Sequence, residues 1–312
     1  MTVTKEIIDS YENYGRCVKI SNGIIEAYIT VDVGPRIIRF ARKDGENVLY
    51  NDIARKSKRL GEEYDNYYYE GATWYLYGGH RLWITPESSP ETYYPDNDEV
   101  KYQFTEMGAV FTPPAQKGNL IQMQTEVIMS ENSADMQVKH TVTNLRDTNR
   151  KFALWGVTVL GQGGLEIIPQ NTHDTGLLPN RTVALWPYTD VTDERFYFGK
   201  DYITLRQDAN AKCAFKIGTD DYSGFAAYSY KDSVFVCRYE PEHPDSEYPD
   251  NNVSFETYTD GTVLEMEMLS RIFDTAPGQS AEFSMNWSLY GNPGEPDSRD
   301  EKAIKTFLNS LK

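Results

Sequence analysis

Short runs of apolar and β-branched residues, bounded by turn residues, recur along almost the whole chain. Many of these runs alternate apolar and polar positions with a period of two, which is the pattern of half-buried β-strands. More than ten such segments are present, among them CVKIS, IIEAYITV, NLIQMQTEVIMS, MQVKHTVTN, KFALWGVTVL, VFVCRYE and AEFSMNWSLY. The pattern predicts an all-β protein built from antiparallel sheets.

The last segment of the chain has a helical period instead. Ser298 followed by Glu301 gives a capping-box pattern, so we predict a short C-terminal helix that packs on the sheets. A polar segment, residues 51–71, interrupts the strand pattern and is predicted to be a long loop or a short helix. The apolar residues of the C-terminal helix share one face: Ile304, Phe307, Leu308 and Leu311.

Nothing in the sequence divides the chain into parts. It contains no internal repeat, no low-complexity tract and no Gly/Ser-rich linker. A length of 312 residues is compatible with one large all-β unit. We therefore expect a single domain over residues 1–312.

The composition narrows the choice of partners. The chain has 31 Lys and Arg against 47 Asp and Glu, a net charge of −16, whereas nucleic acids and anionic membranes favour clustered positive charge. The sequence has no apolar signal segment and no window of about 18 apolar residues. Three distant cysteines without CxxC spacing indicate neither a disulfide framework nor a zinc site. These features predict a cytoplasmic protein without nucleic-acid or membrane partners and leave a small-molecule ligand open.

Two glutamates share one face of a late predicted strand, GTVLEMEMLSRI. Alternate residues of a strand project to the same side, so Glu265 and Glu267 lie together between Val263 and Leu269. If this face is enclosed, repulsion and desolvation raise at least one carboxyl pKa towards the range of a general base. The alternative is a solvent-facing polar strip.

A second candidate is the stretch YLYGGHRLWITPESSPETYYPD. After two glycines, His80 offers an acid or base, Arg81 a forked donor and Trp83 a stacking surface. This combination suits a sugar, whose hydroxyls need hydrogen-bond partners and whose C–H face stacks on aromatic rings. In the alternative interpretation, Arg81 pairs with Glu87 or Glu91 and Trp83 belongs to the core.

Other chemistry-bearing residues have simpler explanations. Trp155 lies in an apolar strand and Trp186 beside a proline, where aromatic residues are commonly part of the core or of a sheet edge. His140 shares a strand face with valines, as expected for a hydrogen-bonded core histidine. The acidic segment EPEHPDSEYPDNN lacks the ligand spacing of an EF-hand loop and is predicted to be solvated. His173 lies in a loop whose position the pattern leaves open. No catalytic or phosphate-binding motif is present, and no metal is predicted.

Several segments together resemble the galactose mutarotase-like proteins, over about residues 17–291. The similarity is strongest to an uncharacterised bacterial branch often labelled DUF4380. The resemblance implies a β-supersandwich of two large twisted antiparallel sheets, with a sugar site on one concave face. The segments that carry it include SNGIIEAYITVDVGPRIIRFARKDGENVLYND, LYGGHRLWITPE, TYYPDNDEV, VTNLRDTNRKFALWGVTVL, PNRTVALWPYTD, YPDNNVSFETYTDGTVLEMEMLS and TAPGQSAEFSMNWSLYG.

The resemblance also implies roles for particular residues. In aldose 1-epimerases of this superfamily, a glutamate on a late strand removes the proton of the anomeric hydroxyl. Glu267 falls where that base is expected, with Glu265 as the competing choice. A histidine after a TN motif usually protonates the ring oxygen, but Trp155 stands there in this chain. His80 is then the best substitute acid and His173 the second.

The resulting prediction is an aldose 1-epimerase-like protein that acts on a small carbohydrate by ring opening, without metal or organic cofactor. One alternative is a non-catalytic carbohydrate-binding protein, motivated by Trp155. Another is a glycoside hydrolase or lyase that uses Glu265 and Glu267, although glycosidase carboxylates must flank the scissile bond. The predicted substrate-binding residues are Arg81, Trp83, Glu87, Trp155, His173, Trp186, Tyr248, Asp250 and Glu265.

Overall fold

A computed structural model describes residues 2–243 and 245–311. Within them the chain forms 23 β-strands and three α-helices, here numbered in chain order. The strands of the first half are β1 (Thr4–Ile8), β2 (Cys17–Ser21), β3 (Ile25–Thr30), β4 (Ile37–Arg42), β5 (Lys58–Leu60), β6 (Thr73–Tyr75), β7 (His80–Thr85), β8 (Lys101–Phe104), β9 (Gly108–Thr112), β10 (Ile121–Met129), β11 (Asp135–Asn144) and β12 (Arg150–Leu160).

The second half continues in the same way and ends in a helix. Its strands are β13 (Leu165–Pro169), β14 (Val183–Leu185), β15 (Phe196–Phe198), β16 (Tyr202–Arg206), β17 (Phe215–Thr219), β18 (Phe225–Tyr230), β19 (Ser233–Tyr239), β20 (Phe255–Thr259), β21 (Leu264–Leu269), β22 (Phe273–Thr275) and β23 (Ser280–Gly291). The helices are α1 (Glu62–Tyr67), α2 (Pro249–Asn252) and α3 (Glu301–Ser310), with a 3-10 turn at Glu91–Tyr93.

Two large antiparallel sheets contain nearly all strands. The first has 11 strands in the order β1-β2-β3-β4-β7-β12-β21-β20-β17-β14, with β22 paired to β12. The second has 10 strands in the order β15-β16-β13-β18-β19-β23-β11-β10-β9-β8, and β5 and β6 form a separate pair. This architecture confirms the predicted all-β fold of two large antiparallel sheets with a short C-terminal helix.

The main core lies between the two sheets. Phe40 of the first sheet packs against Phe235 and Trp287 of the second, with ring centroids 6.1 and 5.3 Å apart. All three side chains are fully buried. Aromatic contacts of this kind contribute about 0.5–1.5 kcal/mol each beyond the buried area, so the sheets are held by specific packing as well as by burial.

A chain of polar side chains also crosses this core. His80 on β7 and His140 on β11 are hydrogen-bonded through their Nε2 atoms at 2.8 Å. His80 Nδ1 lies 2.9 Å from Thr158 Oγ1, and His140 Nδ1 lies 3.0 Å from Thr125 Oγ1. Both rings are buried, and their ring nitrogens all have partners. The prediction that His140 is a hydrogen-bonded core residue is thus confirmed.

The C-terminal helix starts with a different cap from the predicted one. The Asp300 side chain accepts hydrogen bonds from the backbone N–H groups of Lys302 and Ala303, so the capping-box prediction with Ser298 is wrong. A carboxylate satisfies the free N–H groups of a first helical turn at least as well as a serine hydroxyl. The predicted apolar stripe packs through Ile304 and Phe307 on the outer side of the second sheet.

The polar segment 51–71 contains the short helix α1, one of the two alternatives predicted for it, and also the strand β5, which was not predicted. β5 pairs with β6, and the chain continues from β6 through two glycines into β7. Within the described part of the chain, no helix is long and apolar enough to cross a membrane.

Candidate functional site

A groove lies on the face of the first sheet that is turned away from the second sheet. Alternation along the strands decides which side chains reach it. Cross-strand pairing places Trp83 beside Trp155, and Glu267 beside Glu256. The side chains that this face receives from five adjacent strands are Arg81 and Trp83 of β7, Trp155 of β12, Glu265 and Glu267 of β21, Glu256 and Tyr258 of β20, and Lys216 of β17.

The groove has the size of a small-molecule site. It encloses about 460 Å³, within the range of about 300–1,000 Å³ that is typical of ligand pockets. One rim is formed by Arg59 and Trp74 of the β5–β6 pair, and the other by Trp186 and Tyr188 after β14. The long polar insertion before β7 therefore builds one wall of the groove.

Arg81 is fixed in the floor with hydrogen-bonding capacity left over. Its guanidinium lies 3.9 Å from the centre of the Trp83 ring, and its Nη2 donates to Glu265 Oε1 at 3.1 Å. Its Nε and Nη1 atoms, and Nε1 of Trp74, have no hydrogen-bond partner among the described residues. Buried donors are rarely left unpaired, so these atoms have donor capacity that a polar ligand or a water molecule can use.

The structure rejects the alternative pairings of Arg81. Glu87 accepts a hydrogen bond from the hydroxyl of Tyr93, and Glu91 forms its ion pair with Arg150. Trp83 is mostly buried, as the core interpretation required, but it also lines the groove.

Beneath the groove, Lys216 bridges two buried carboxylates. Its Nζ atom lies 2.7 Å from Glu256 Oε2 and 3.0 Å from Glu267 Oε2. Burial raises the pKa of Glu256 and of Glu267, and the charge of Lys216 opposes that rise. Burial alone would lower the pKa of Lys216, but the charges of the two carboxylates outweigh it and raise this pKa.

The two glutamates predicted as general base have different environments. Trp155 Nε1 donates to Glu267 Oε2 at 2.8 Å, and Glu267 is only 1% exposed under Trp155 and Lys216. The side chain of Glu265 is 13% exposed and lines the groove. Neither glutamate belongs to a solvent-facing strip, and Glu265 is the one that a ligand can reach directly.

His80, the predicted acid, lies on the opposite side of β7 from the groove. Successive residues of a strand point to opposite faces, so Arg81 faces the groove and His80 points between the sheets. Burial, reinforced by the neighbouring His140, lowers the pKa of His80 well below its usual range. The ring is therefore neutral and saturated with hydrogen bonds, and the geometry does not support a direct role as the acid.

Three further predicted residues lie away from the groove. His173 stacks on Tyr222 at 4.9 Å, and His243 stacks between Tyr222 and Tyr248 at 4.8 and 4.1 Å. Asp250 is exposed in the short segment α2, which is not a regular α-helix because Asp250, Asn251 and Asn252 have left-handed backbone conformations. None of the described side chains at positions 173, 248 and 250 lines the groove, whereas the predicted positions 81, 83, 87, 155, 186 and 265 do.

Sequence reasoning missed several side chains of this site. Lys216 lies within AFKIG and Glu256 within FETYT, both predicted or plausible strand segments. A lysine or glutamate in an otherwise apolar strand is rarely buried unless it is paired, so the two could have been flagged together. Further groove residues that the sequence did not point to include Arg59, Trp74, Tyr93, Tyr188, Tyr258 and Asp260.

Comparison with known proteins supports the fold. No protein-family model and no curated protein matches this chain. A galactose mutarotase-like protein from Lactobacillus casei is similar in structure, with a TM-score of 0.56, 10% identity, and coverage of 88% of this chain and 100% of that one. A proposed aldose 1-epimerase from Escherichia coli is also similar, with a TM-score of 0.51 and 11% identity over 93% of this chain and 99% of that one.

A TPR-domain containing protein from Parabacteroides distasonis is also similar, with a TM-score of 0.60 and 14% identity over 95% of this chain. This chain spans 48% of that protein's length. At such identities the similarity shows the fold alone, which is galactose mutarotase-like. Assignment to the DUF4380 branch stays a prediction.

Proposed function

We propose that the groove is a carbohydrate-binding site and that the chain is a single carbohydrate-binding domain on the galactose mutarotase-like fold. The observation that carries this proposal is the set of unpaired donors in the floor of the groove, Arg81 Nε and Nη1 with Trp74 Nε1, among the aromatic rings that line it. Sugar hydroxyls accept hydrogen bonds from such donors while the ring's C–H face packs on aromatic carbon.

The aromatic residues divide into two roles in this proposal. Trp83 and Trp155 are 9% and 4% exposed, so they support the floor and position Arg81 and Glu267. Trp186 is half-buried and Tyr188 is exposed on the rim, where a sugar ring can stack. We therefore assign the stacking role to this rim.

Binding without catalysis is the simplest form of this function. The four histidines of the chain lie between the sheets or in the stacked loop cluster, away from the groove. The expected glutamate and histidine pair is therefore not assembled around a common ligand position. The hydrolase or lyase alternative loses support for a related reason, because Glu267 is already paired with Lys216.

Calorimetric titration with a panel of aldoses and short oligosaccharides tests the proposal. We expect saturable binding by the wild type and at least a tenfold loss in Arg81→Gln, the size expected for losing a charge-assisted hydrogen bond. Lys139→Gln, which removes a positive charge from the second sheet, is the matched control and should bind as the wild type does. Absence of binding across the panel would contradict the proposal.

A second candidate function is interconversion of sugar anomers, favoured by the position of Glu265 in the groove. Its carboxylate would remove the proton of the anomeric hydroxyl while water protonates the ring oxygen and the C1–O5 bond breaks. Rotation about C1–C2 and the reverse steps give the other anomer. With a single positioned group we expect an acceleration of about 10²- to 10⁴-fold.

Polarimetry on freshly dissolved α-anomers distinguishes the two functions. In the catalytic case the wild type accelerates mutarotation and Glu265→Gln abolishes the acceleration, while Glu282→Gln retains it. Loss of acceleration in Glu267→Gln, with Glu265→Gln unchanged, would instead identify Glu267 as the base. Sugar binding without any acceleration would leave the non-catalytic function.

A further inference from the structure

Two of the three cations that line the groove, Arg81 and Lys216, form ion pairs with carboxylates, and the third, Arg59, is linked to one through a tyrosine hydroxyl. Arg59 lies 3.9 Å from the centre of the Tyr93 ring and donates to its hydroxyl at 3.1 Å, and that hydroxyl donates in turn to Glu87. The Arg81 guanidinium lies 3.9 Å from the centre of the Trp83 ring and donates to Glu265. Each guanidinium thus lies against an aromatic ring and is connected to a carboxylate, directly in the case of Arg81 and through the Tyr93 hydroxyl in the case of Arg59.

Lys216 is bound even more tightly. Its ammonium contacts two carboxylates and lies 4.9 and 4.7 Å from the ring centres of Trp155 and Trp186. A ligand anion would have to compete with two buried carboxylates for this ammonium. Lys216 is therefore not a free anion-binding group.

Carboxylates outnumber the cations in and beneath the groove. Three cations face five carboxylates, which leaves two net negative charges. Burial raises the pKa of both Glu256 and Glu267, and with one of the two protonated one net negative charge remains. The groups counted are Arg59, Arg81 and Lys216 against Glu87, Glu256, Asp260, Glu265 and Glu267.

Asp260, one of the five carboxylates counted, has no cation beside it in the described part of the chain. Its carboxylate accepts hydrogen bonds from the backbone N–H groups of Thr262 and Val263 and from the Tyr258 hydroxyl. Among the residues that the structure describes, it forms no ion pair of its own. The groove therefore offers an acceptor to a ligand ammonium or hydroxyl and repels a ligand phosphate or carboxylate.

We propose that the groove selects sugars that carry no acidic group, and that Glu87 and Glu265 exclude phosphorylated sugars and uronic acids. The proposal rests on the carbohydrate binding proposed above and narrows its ligand class. A hydroxyl needs only the free N–H groups of Arg81, whereas a phosphate would have to compete with the carboxylates paired to Arg81 and Lys216, and would meet the charge of Glu87 beside Arg59. An amino sugar with a free ammonium group fits the charge of the groove at least as well as its neutral counterpart.

The test compares matched ligands by calorimetric titration. The probes are glucose and galactose with their 6-phosphates, their uronic acids and their 2-amino-2-deoxy forms. We expect the acidic forms to bind at least about tenfold more weakly than the neutral sugar, the effect of one charge repulsion near a protein surface. The amino forms should bind equally well or more tightly.

Variants assign the discrimination to particular residues. Glu87→Gln and Glu265→Gln should each reduce the neutral-to-acidic affinity ratio several-fold, through acidic ligands that bind more tightly. Glu282→Gln removes the same charge from the second sheet and should leave the ratio unchanged. Two separate groove variants keep the test decisive if one of them fails to fold.

The outcomes separate this inference from the function on which it rests. If neither neutral nor acidic sugars bind, carbohydrate binding itself is refuted. If acidic forms bind as well as neutral ones or better, the proposed selectivity is refuted while carbohydrate binding stands. If Glu282→Gln changes the ratio as much as the groove variants do, the net charge of the chain causes the discrimination, and the assignment to Glu87 and Glu265 is wrong.

Discussion

Replacement of Lys216 by methionine is the sharpest test of the buried charge cluster. The variant keeps the length of the side chain but leaves Glu256 and Glu267 facing each other without a cation. At an effective dielectric constant near 20, a pair of unit charges about 3 Å apart interacts by roughly 6 kcal/mol before desolvation is counted. Breaking a buried ion pair typically costs about 3–5 kcal/mol of unfolding free energy, and we expect a loss of that size near pH 8.

The pH dependence identifies the cause of the loss. The pKa values of both carboxyls are raised by burial, and removal of the ammonium raises them further. A carboxyl whose pKa is higher in the folded than in the unfolded state contributes stability at low pH that is lost as pH rises through the folded value. The deficit of Lys216→Met should therefore be small at about pH 5 and largest at about pH 8.

Urea unfolding at both pH values measures the deficit. Lys139→Met is the control, because Lys139 forms a more exposed pair with Glu282 and its loss should cost less than about 1 kcal/mol. Adding Glu256→Gln to Lys216→Met should recover part of the stability at about pH 8. A deficit below about 1 kcal/mol, or one that is equal at both pH values, would refute the reasoning.

Three further predictions concern stability. Burial lowers the pKa of His140 to about 3, so its contribution to the free energy of unfolding is full above about pH 6.5 and is lost on acidification. His140→Gln should reduce the slope of this loss by roughly 1.4 kcal/mol per pH unit. Urea unfolding at a series of pH values measures the slope. Trp155→Phe removes the donor to Glu267 and should cost about 1–3 kcal/mol at neutral pH, and an unchanged unfolding midpoint would show that this bond is dispensable. Asp300→Ala should cost about 1 kcal/mol in thermal unfolding, whereas Ser298→Ala should cost less, and the reverse order would favour the original cap prediction.

The fold was predictable because its signal is local and repeated. A period of two over many short segments predicts strands wherever one face is buried, and most segments found in this way are strands of the two sheets. The error at Ser298 has a local cause as well. Asp300 and Ser298 are both good caps, and sequence pattern fixes a helix start only to within a few residues.

The site was predictable only in part because it depends on long-range pairing. Glu265 and Glu267 were recognised as one face of a strand, but only the register with β20 shows that Glu256 lies beside Glu267. His80 was chosen by its chemistry, and nothing in GGHRLW tells which of two consecutive residues faces a ligand. A shift of one residue in a strand reverses that choice, and the path after the two glycines places Arg81 in the groove.

The histidine pair between the sheets provides a native spectroscopic probe of the groove. His80 and Arg81 are consecutive residues of one strand, so we expect a ligand that displaces Arg81 to change the hydrogen bond between His80 and His140. An imidazole proton held between two buried rings is shielded from exchange with water, and its resonance reports the distance between the two nitrogens. Ligand binding on the outer surface can therefore be followed by NMR from inside the sandwich, without attaching a label.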